Sequence, residues 1–364
     1  MGKFLDHLIM RIAVLHPRLS PYFAACLRKL NGCGVELMIH AESNDSSAPF
    51  ESRQFEGLGE IHARNTSSGD VMFERVSAFS PDVIHVGGWA DREYMAICRK
   101  MRAKGTVVIA GSDTQWKGSL RQYLAGLTAR LHIRRAVDAL WVSGERQKAF
   151  ASVLGYKGDR CLDGNYACDW ELFSSARRRG AGLDNKPYFL FVGRYVQEKG
   201  VDTLARAFVM YRDAVPNPWN LVCAGRGPLA HVVRSSGALD SGFVQPPDLP
   251  DLMRQAGAFV LPSRAEPWGV VIQEAAAVGL PLICSDACGA AVHLLRDCLN
   301  GYTFPAGNSM ALAERMARIS LLEDDKRSEM GEHSFELSKQ YTPERWANVL
   351  LAGVRRVRGG FQPE

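Results

Sequence analysis

Apolar and polar positions fall in alternating blocks along the chain. Short runs rich in Val, Ile and Leu are followed by stretches with helical spacing, and this recurs from end to end. Short apolar runs bounded by small or polar residues predict buried strands, and their alternation with helices predicts βαβ units and parallel sheets. RIAVLH (11–16) reads as the first strand, followed by a helix from about Tyr22 to Leu30 and a second strand, VELMIH (35–40). DVIHV (82–86), TVVIA (106–110) and ALWV (139–142) continue the series. Each ends in a loop of small or polar residues: Gly87-Gly88-Trp89, Gly111-Ser112-Asp113 and Ser143-Gly144-Glu145. Residues 41–70 are polar and glycine-rich, and no element is assigned there.

After Phe173 the segment SSARRRGAGLDNK loses apolar period and has linker composition. A second series then begins with YFLFVG (188–193) and continues through WNLVCAG (219–225), SGFV (241–244), GAFVLP (257–262), PLICS (281–285) and GYTF (301–304). Two such halves predict an α/β protein of two Rossmann-like, doubly wound domains facing a crevice at the strand carboxyl ends. The expected divisions are an N-terminal domain over 1–178, a C-terminal domain over 187–340 and a closing helix over 342–358. That helix, TPERWANVLLAGVRRV (342–357), carries Trp346, Val349, Leu350 and Val354 at helical spacing and needs a surface to cover.

A chain of 364 residues, 46% apolar and 23% charged, is long enough for two separate cores. Nothing in it approaches the roughly 18 consecutive apolar residues of a membrane-spanning helix. Lys3, Asp6, His7 and Arg11 interrupt the start as in no signal peptide, and Asp6 stands where myristoylation needs Ser or Thr. The expectation is a cytoplasmic protein. The nine cysteines are scattered and read as reduced thiols. Cys284, Cys288 and His293 could be imagined as metal ligands, but packing thiols are the preferred reading.

The net charge of +5 is uneven: residues 1–180 carry 25 Lys/Arg against 19 Asp/Glu, and residues 181–364 carry 19 against 20. Segment 117–148 alone holds Lys117, Arg121, Arg130, Arg134, Arg135, Arg146 and Lys148 against Asp138 and Glu145. It would suit an anionic membrane surface, placing the protein peripherally on the inner face, or an acidic acceptor; a solvated helix face is the alternative. No nucleic-acid partner is expected.

Candidate chemistry concentrates in the second half. In FVGRYVQEKGVDTLARAF (191–208) a strand ends at Gly193, a loop holds Arg194 and Lys199, and a helix begins near Gly200. Free N–H groups and the helix dipole would draw the same anion as the two cations, although ordinary loop cations would look alike. In SRAEPWGVVIQEAAAVGLP (263–281), Glu266 lies in a loop after a buried strand, and Gly269 and Val270 open the next helix as backbone donors to a phosphate. Glu274, two turns in, would accept hydrogen bonds from a ribose diol. Its apolar neighbours make an unpaired charge there costly, which favours a ligand.

With CAGRGPL (223–229), these segments resemble the retaining glycosyltransferase family 4 of the GT-B fold over most of residues 187–338. The family's Gly-Arg followed by Glu-Lys-Gly is matched by Gly193-Arg194 and Glu198-Lys199-Gly200, and its pair of glutamates by Glu266 and Glu274. The resemblance implies that Arg194 and Lys199 hold a donor diphosphate, that Glu266 contacts the transferred sugar and that Glu274 binds the ribose. Gly193, Gly225, Arg226, Trp268, Gly269 and Val270 complete the donor set. It also implies a closing helix that crosses back to the N-terminal domain, and transfer with retention from a nucleotide-diphosphate sugar to a glycan or lipid-linked acceptor. No Asp-x-Asp stands at a strand end, so metal-independent transfer without a cofactor is expected.

The sequence departs from that family in two places. Relatives usually present a His after the strand corresponding to TVVIA; here Asp113 is a polar contact, a base, or a cap for the next helix. His16, Gly87, Gly88 and Trp89 read as an acceptor platform, or as turn glycines with a packing Trp. In CGAAVHLLRDCLNG (288–301), Gly289 and Ala290 stand for a Gly-Gly and are expected to present N–H groups to sugar or phosphate, while His293 replaces a Glu. The competing functions are a nucleotide-sugar-binding partner without turnover and a GT-B epimerase or hydrolase. An oxidoreductase is disfavoured because the first strand lacks G-x-G-x-x-G.

Overall fold

The structure, a computed structural model, describes residues 9–42, 49–64, 68–177 and 187–359. It divides into two compact units, one of residues 9–42, 52–64, 68–166 and 343–359, the other of residues 49–51, 167–177 and 187–342.

The first unit runs β1 (Met10–Arg18), α1 (Pro21–Asn31), β2 (Val35–Glu42), β3 (Ile61–Ala63), α2 (Gly69–Phe79), β4 (Val83–Val86), α3 (Arg92–Ala103), β5 (Val107–Ser112), α4 (Leu120–Thr128), β6 (Ala139–Val142), α5 (Glu145–Val153) and β7 (Cys161–Asp163). Its strands pair in parallel in the order β3-β2-β1-β4-β5-β6-β7. Every residue of β4, β5 and β6 is buried, as in a parallel sheet covered on both faces. Helix starts follow local chemistry: Pro21 opens α1, and Asp91 accepts from the backbone N–H groups of Glu93 and Tyr94 at the head of α3.

The second unit runs α6 (Trp170–Ser175), β8 (Tyr188–Val192), α7 (Val201–Ala214), β9 (Asn220–Ala224), α8 (Ala230–Ser235), β10 (Leu239–Gly242), α9 (Leu249–Arg254), β11 (Ala258–Leu261), α10 (Val270–Val278), β12 (Leu282–Ser285), α11 (Ala291–Leu294), β13 (Gly301–Phe304), α12 (Ser309–Ser320) and α13 (Asp324–Ser338). Its sheet is also parallel, in the order β10-β9-β8-β11-β12-β13.

The closing helix α14 (Pro343–Gly359) belongs to the first unit. Its Trp346 is 2% exposed, lies 4.6 Å from the Trp141 ring and donates its indole N–H to the Asn165 carbonyl at 2.9 Å. Gly353 lets the helix pass so close to Leu162 that a Cβ would collide with that side chain. This aromatic contact covers part of the apolar stripe of the helix.

The strands expected from the sequence are present within a residue or two, but β3 and β7 were not foreseen. The strand expected over 241–244 lies earlier, at Leu239–Gly242, and ends where Gly242 takes φ 67°. The first strand extends beyond His16 to Arg18. The expected linker is a continuation of α6 through Ser175, and residues 178–186 lie outside the described residues, as does the Met-Gly start.

Candidate functional site

In each sheet the strand order reverses once, between β1 and β4 in the first unit and between β8 and β11 in the second. A doubly wound sheet opens a crevice at the carboxyl ends of such neighbours, because their following segments leave to opposite faces. In the second unit the two segments are 193–200 after β8 and 262–269 after β11, which hold Arg194, Lys199, Glu266 and Gly269.

These two loops are bound together. The N–H groups of Arg264 and Ala265 donate to the Glu198 carbonyl at 2.8 and 3.2 Å, and the Arg264 guanidinium reaches the Gln197 carbonyl and the Asp202 carboxylate at 3.2 and 2.6 Å. Gly200, at φ 67°, lies directly on the Pro262 carbonyl; any Cβ there would overlap that oxygen. Glycine is therefore required twice over at the start of α7, by dihedral and by approach. Gly225 likewise faces the Gly193 carbonyl, so the loop after β9 packs on the loop after β8.

The junction brings Lys199 and Glu266 into an ion pair, with side chains 20% and 8% exposed. The Ser263 hydroxyl, itself buried, donates to the same carboxylate at 3.2 Å. Lys199 thus faces a carboxylate in this structure, whereas the sequence suggested separate tasks for the two. Arg194 is exposed and carries no ion pair among the described residues. Arg226 is exposed too, with its guanidinium 5.2 Å from the centre of the Phe243 ring. Helices α7 and α10 both start at a glycine in the left-handed region, Gly200 and Gly269, and neither has a side-chain cap. Uncapped N–H groups and the dipole make both starts favourable to an anion.

Glu274 lies in the half-buried part of α10. Burial, with the negative charge of Asp169 as a lesser contribution, pushes its carboxyl up to about 8, so the carboxyl is protonated at neutral pH. Trp268 is 3% exposed, packs with tilted rings against His293 and Tyr341, and has no partner for its indole N–H among the described residues.

Several sequence expectations need correction. The N–H groups of Gly289 and Ala290 donate to the Glu266 and Trp268 carbonyls at 3.1 and 2.9 Å, because a parallel bridge ties Cys288 to Glu266. They brace the loop and are not directed to a ligand. The cysteines need no correction: Cys284 and Cys288 are fully buried, and the Cys288 thiol donates to the Leu261 carbonyl at 3.6 Å, in keeping with the packing role preferred from the sequence. Asp113 does not cap the next helix, since Ser119 caps α4. Its carboxylate instead accepts from the Tyr166 hydroxyl at 3.3 Å.

At the first unit's switch point, His16 lies within β1 and its ring abuts Gly87, where a Cβ would overlap the imidazole. Burial holds the His16 imidazole down to about 4, so it is neutral. Trp89 packs against the core, while Gly88, at φ 118°, is open. Ser263 and Arg264 are participants that the sequence reading passed over; a Ser three residues before the loop glutamate was the available signal.

Nearly the whole chain aligns with solved structures. It has a TM-score of 0.74 to a glycosyltransferase from Rickettsia africae, at 11% identity, covering 97% of this chain and 100% of that one. It has a TM-score of 0.72 to the Anabaena protein Alr3699/HepE, solved with UDP and glucose, at 16% identity and covering 94% and 98%. Two parallel α/β units and these likenesses define a two-domain, Rossmann-like protein of the GT-B fold.

Sequence comparison narrows that class. Residues 174–336 match the family described as Glycosyl transferases group 1. The D-inositol 3-phosphate glycosyltransferase of Kribbella flavida is 31% identical, over 93% of this chain and 90% of that protein. The alpha-D-kanosaminyltransferase of Streptomyces kanamyceticus is 30% identical over 52% of this chain, and the chain spans only 51% of its length. The chain belongs to the group 1 glycosyltransferases.

Proposed function

We propose that this chain is a retaining glycosyltransferase that moves a sugar from a nucleotide-diphosphate donor to a glycan, glycolipid or lipid-linked acceptor in cell-surface polysaccharide or lipopolysaccharide synthesis. The carrying observation is the Lys199–Glu266 pair at the switch point of the second sheet, beside two uncapped helix starts. In this reading the donor diphosphate is taken by Arg194, Lys199 and the head of α10, and the sugar lies against Glu266. Glu274 binds the ribose as a carboxylate after losing its proton.

Negative charge develops on the diphosphate as the glycosidic bond breaks. Cations and amide dipoles already fixed in place stabilise that charge without reorganising, which lowers the barrier. Lys199 can hold Glu266 and a diphosphate oxygen together, since an ammonium has three donors and Glu266 uses only some of them. The lack of an Asp-x-Asp at any strand end supports transfer without a metal ion. The solved Anabaena relative contains UDP and glucose, and a Campylobacter jejuni relative, 28% identical over 59% of this chain, is named for a diphospho-undecaprenol acceptor. Both are compatible with the donor and acceptor classes proposed. The basic first half, with segment 117–148, suits a lipid-linked acceptor at an anionic inner membrane face. No helix among the described residues is long and apolar enough to cross a membrane.

The test is incubation with a panel of nucleotide sugars, with and without candidate acceptors and with a chelator, while following nucleoside diphosphate release. Acceptor-dependent release that survives chelation, with the anomeric configuration kept in the product, supports the reading. Binding without release identifies a non-catalytic partner, and rapid acceptor-free release identifies a hydrolase.

A further inference from the structure

Helix α4 has its apolar residues on the outside. Leu120, Leu124 and Leu127 recur at helical spacing, Leu131 continues the row in the following turn, and all four are 58–82% exposed. Tyr123, 54% exposed, widens the face. None of the residues of α4 is buried. The inner side is made of small residues: Gly126 lies on Val153 of α5 so tightly that a Cβ would overlap it, and Ala125 leans on the core. An apolar stripe of this length on the solvent side of a helix is an interaction surface.

The helix leads directly into a basic cleft. A cavity of about 270 Å³ is lined by Arg102, Arg130, Arg134, Arg160, Val137 and Tyr156. Arg102 is paired with the buried Asp138 at 2.6 Å, but Arg130, Arg134 and Arg160 have no carboxylate partner among the described residues. Three unpaired guanidinium groups around one recess fit a phosphate, which accepts forked N–H pairs from several directions. Lys117 and Arg121 add charge at the other end of the helix. Apolar residues that enter an acyl layer, with basic groups beside them at headgroup level, form the arrangement of an in-plane membrane helix.

We propose that α4 docks the first unit on an anionic bilayer, with Leu120, Leu124, Leu127 and Leu131 in the acyl boundary and a lipid headgroup phosphate in the Arg130–Arg134–Arg160 cleft. The proposal deepens the membrane part of the functional reading above and requires no sugar transfer. Charge complementarity selects the occupant: a second copy of this chain would bring the same unpaired arginines against its own.

The experiment is co-sedimentation of the full chain, without donor, with vesicles of phosphatidylcholine alone or mixed with phosphatidylglycerol. The mixed vesicles should bind the protein and the neutral ones should not, and binding should weaken when salt rises from about 0.1 to 0.5 M. Leu124→Glu/Leu127→Glu should abolish binding, and Arg130→Gln/Arg134→Gln/Arg160→Gln should lower it about tenfold or more. The matching triple Arg→Lys variant should keep most of it. All these side chains point to solvent or line the open cleft, and unchanged circular dichroism and melting would show that the fold is intact. Absence of wild-type binding to mixed vesicles overturns the proposal. So does full binding by the arginine variant, binding of inorganic phosphate in the cleft without vesicle binding, or a dimer that the leucine variant splits while vesicles stay unbound. Because the readout contains no donor, its failure is distinct from failure of the transferase reading, which nucleotide-sugar turnover alone reports.

Discussion

Lys199 and Glu266, 67 residues apart in the chain, meet as an ion pair where the loops after β8 and β11 cross, and the carboxylate is the more buried partner. Removing only the cation takes the counter-charge from a carboxylate that is 8% exposed, while Ser263 still donates to it, and losing the charge partner of a buried carboxylate is costly. Lys199→Met should therefore lower stability by about 1–3 kcal/mol, the partial exposure of Lys199 tempering the larger values seen for dry pairs. Lys199→Met/Glu266→Gln should regain most of that stability in urea denaturation while remaining without transfer activity. If the double variant is no more stable than the single one, the coupling is not electrostatic.

Gly200→Ala should be much worse than a surface substitution. The residue must hold φ 67° and its new Cβ would overlap the Pro262 carbonyl, so a loss of about 2 kcal/mol or more is expected. The same change displaces Lys199, and nucleotide affinity should fall with it. An equilibrium unfolding curve within about 0.5 kcal/mol of wild type would contradict the close approach.

In the proposed donor site, Glu274 would make nucleotide binding proton-linked. Its carboxyl ionises near 8 in this structure and near 4.5 when unburied, so folded-state stability falls as pH rises through that interval. A ribose that needs the carboxylate must expel the proton. Binding of a nucleoside diphosphate at pH 7 should release close to one proton, measured by calorimetry in buffers of different ionisation enthalpy, and affinity should rise toward pH 8. Glu274→Gln should bind more weakly and release none. A wild-type protein that releases no proton would remove Glu274 from the ribose role.

Acid should unfold the first unit through its histidines. Burial holds His40 down to about 4 and His85 to about 3, with the charges of His62, Arg75 and Arg64 adding to the effect on His40. Depressed imidazoles stabilise the fold above their ordinary value of 6.5, and that stability is lost as pH falls toward 4. Neither ring nitrogen of His40 has a hydrogen-bond partner among the described residues, and the ring stacks on His62 at 4.8 Å. His40→Phe should keep the stack, remove the titration and flatten the dependence of Tm on pH between about 7 and 5. An unchanged slope would mean that His40 does not carry it.

The strands were legible because a parallel sheet buries both faces and leaves near-continuous apolar runs such as FVL in β11 and VIHV in β4. The edge strands β3 and β7 were not legible: IHA and CLD are three residues each, with at most one fully buried position, too short to show a period. At the candidate site, the residue types and spacings pointed to the loops after β8 and β11, but not to what fills them. The Lys199–Glu266 pair depends on a contact between distant loops, and no local pattern encodes it. The same holds for the N–H groups of Gly289 and Ala290, which a tertiary bridge diverts to the carbonyls of Glu266 and Trp268. Asp113 was ambiguous because an Asp before a helix is a common cap, and the chain makes six further residues of connection before α4 begins, by which point Ser119 has that role.

The most direct test of the account is nucleoside diphosphate release from a nucleotide-sugar panel by wild type, Glu266→Gln and Lys199→Met, with acceptor present. The account predicts release from at least one donor by the wild type and a loss of about a hundredfold or more in both variants, as expected when a preorganised charge partner of the transition state is removed. Turnover at wild-type rates in both variants, or no turnover of any donor by a wild-type protein that binds nucleotide sugar, would contradict it.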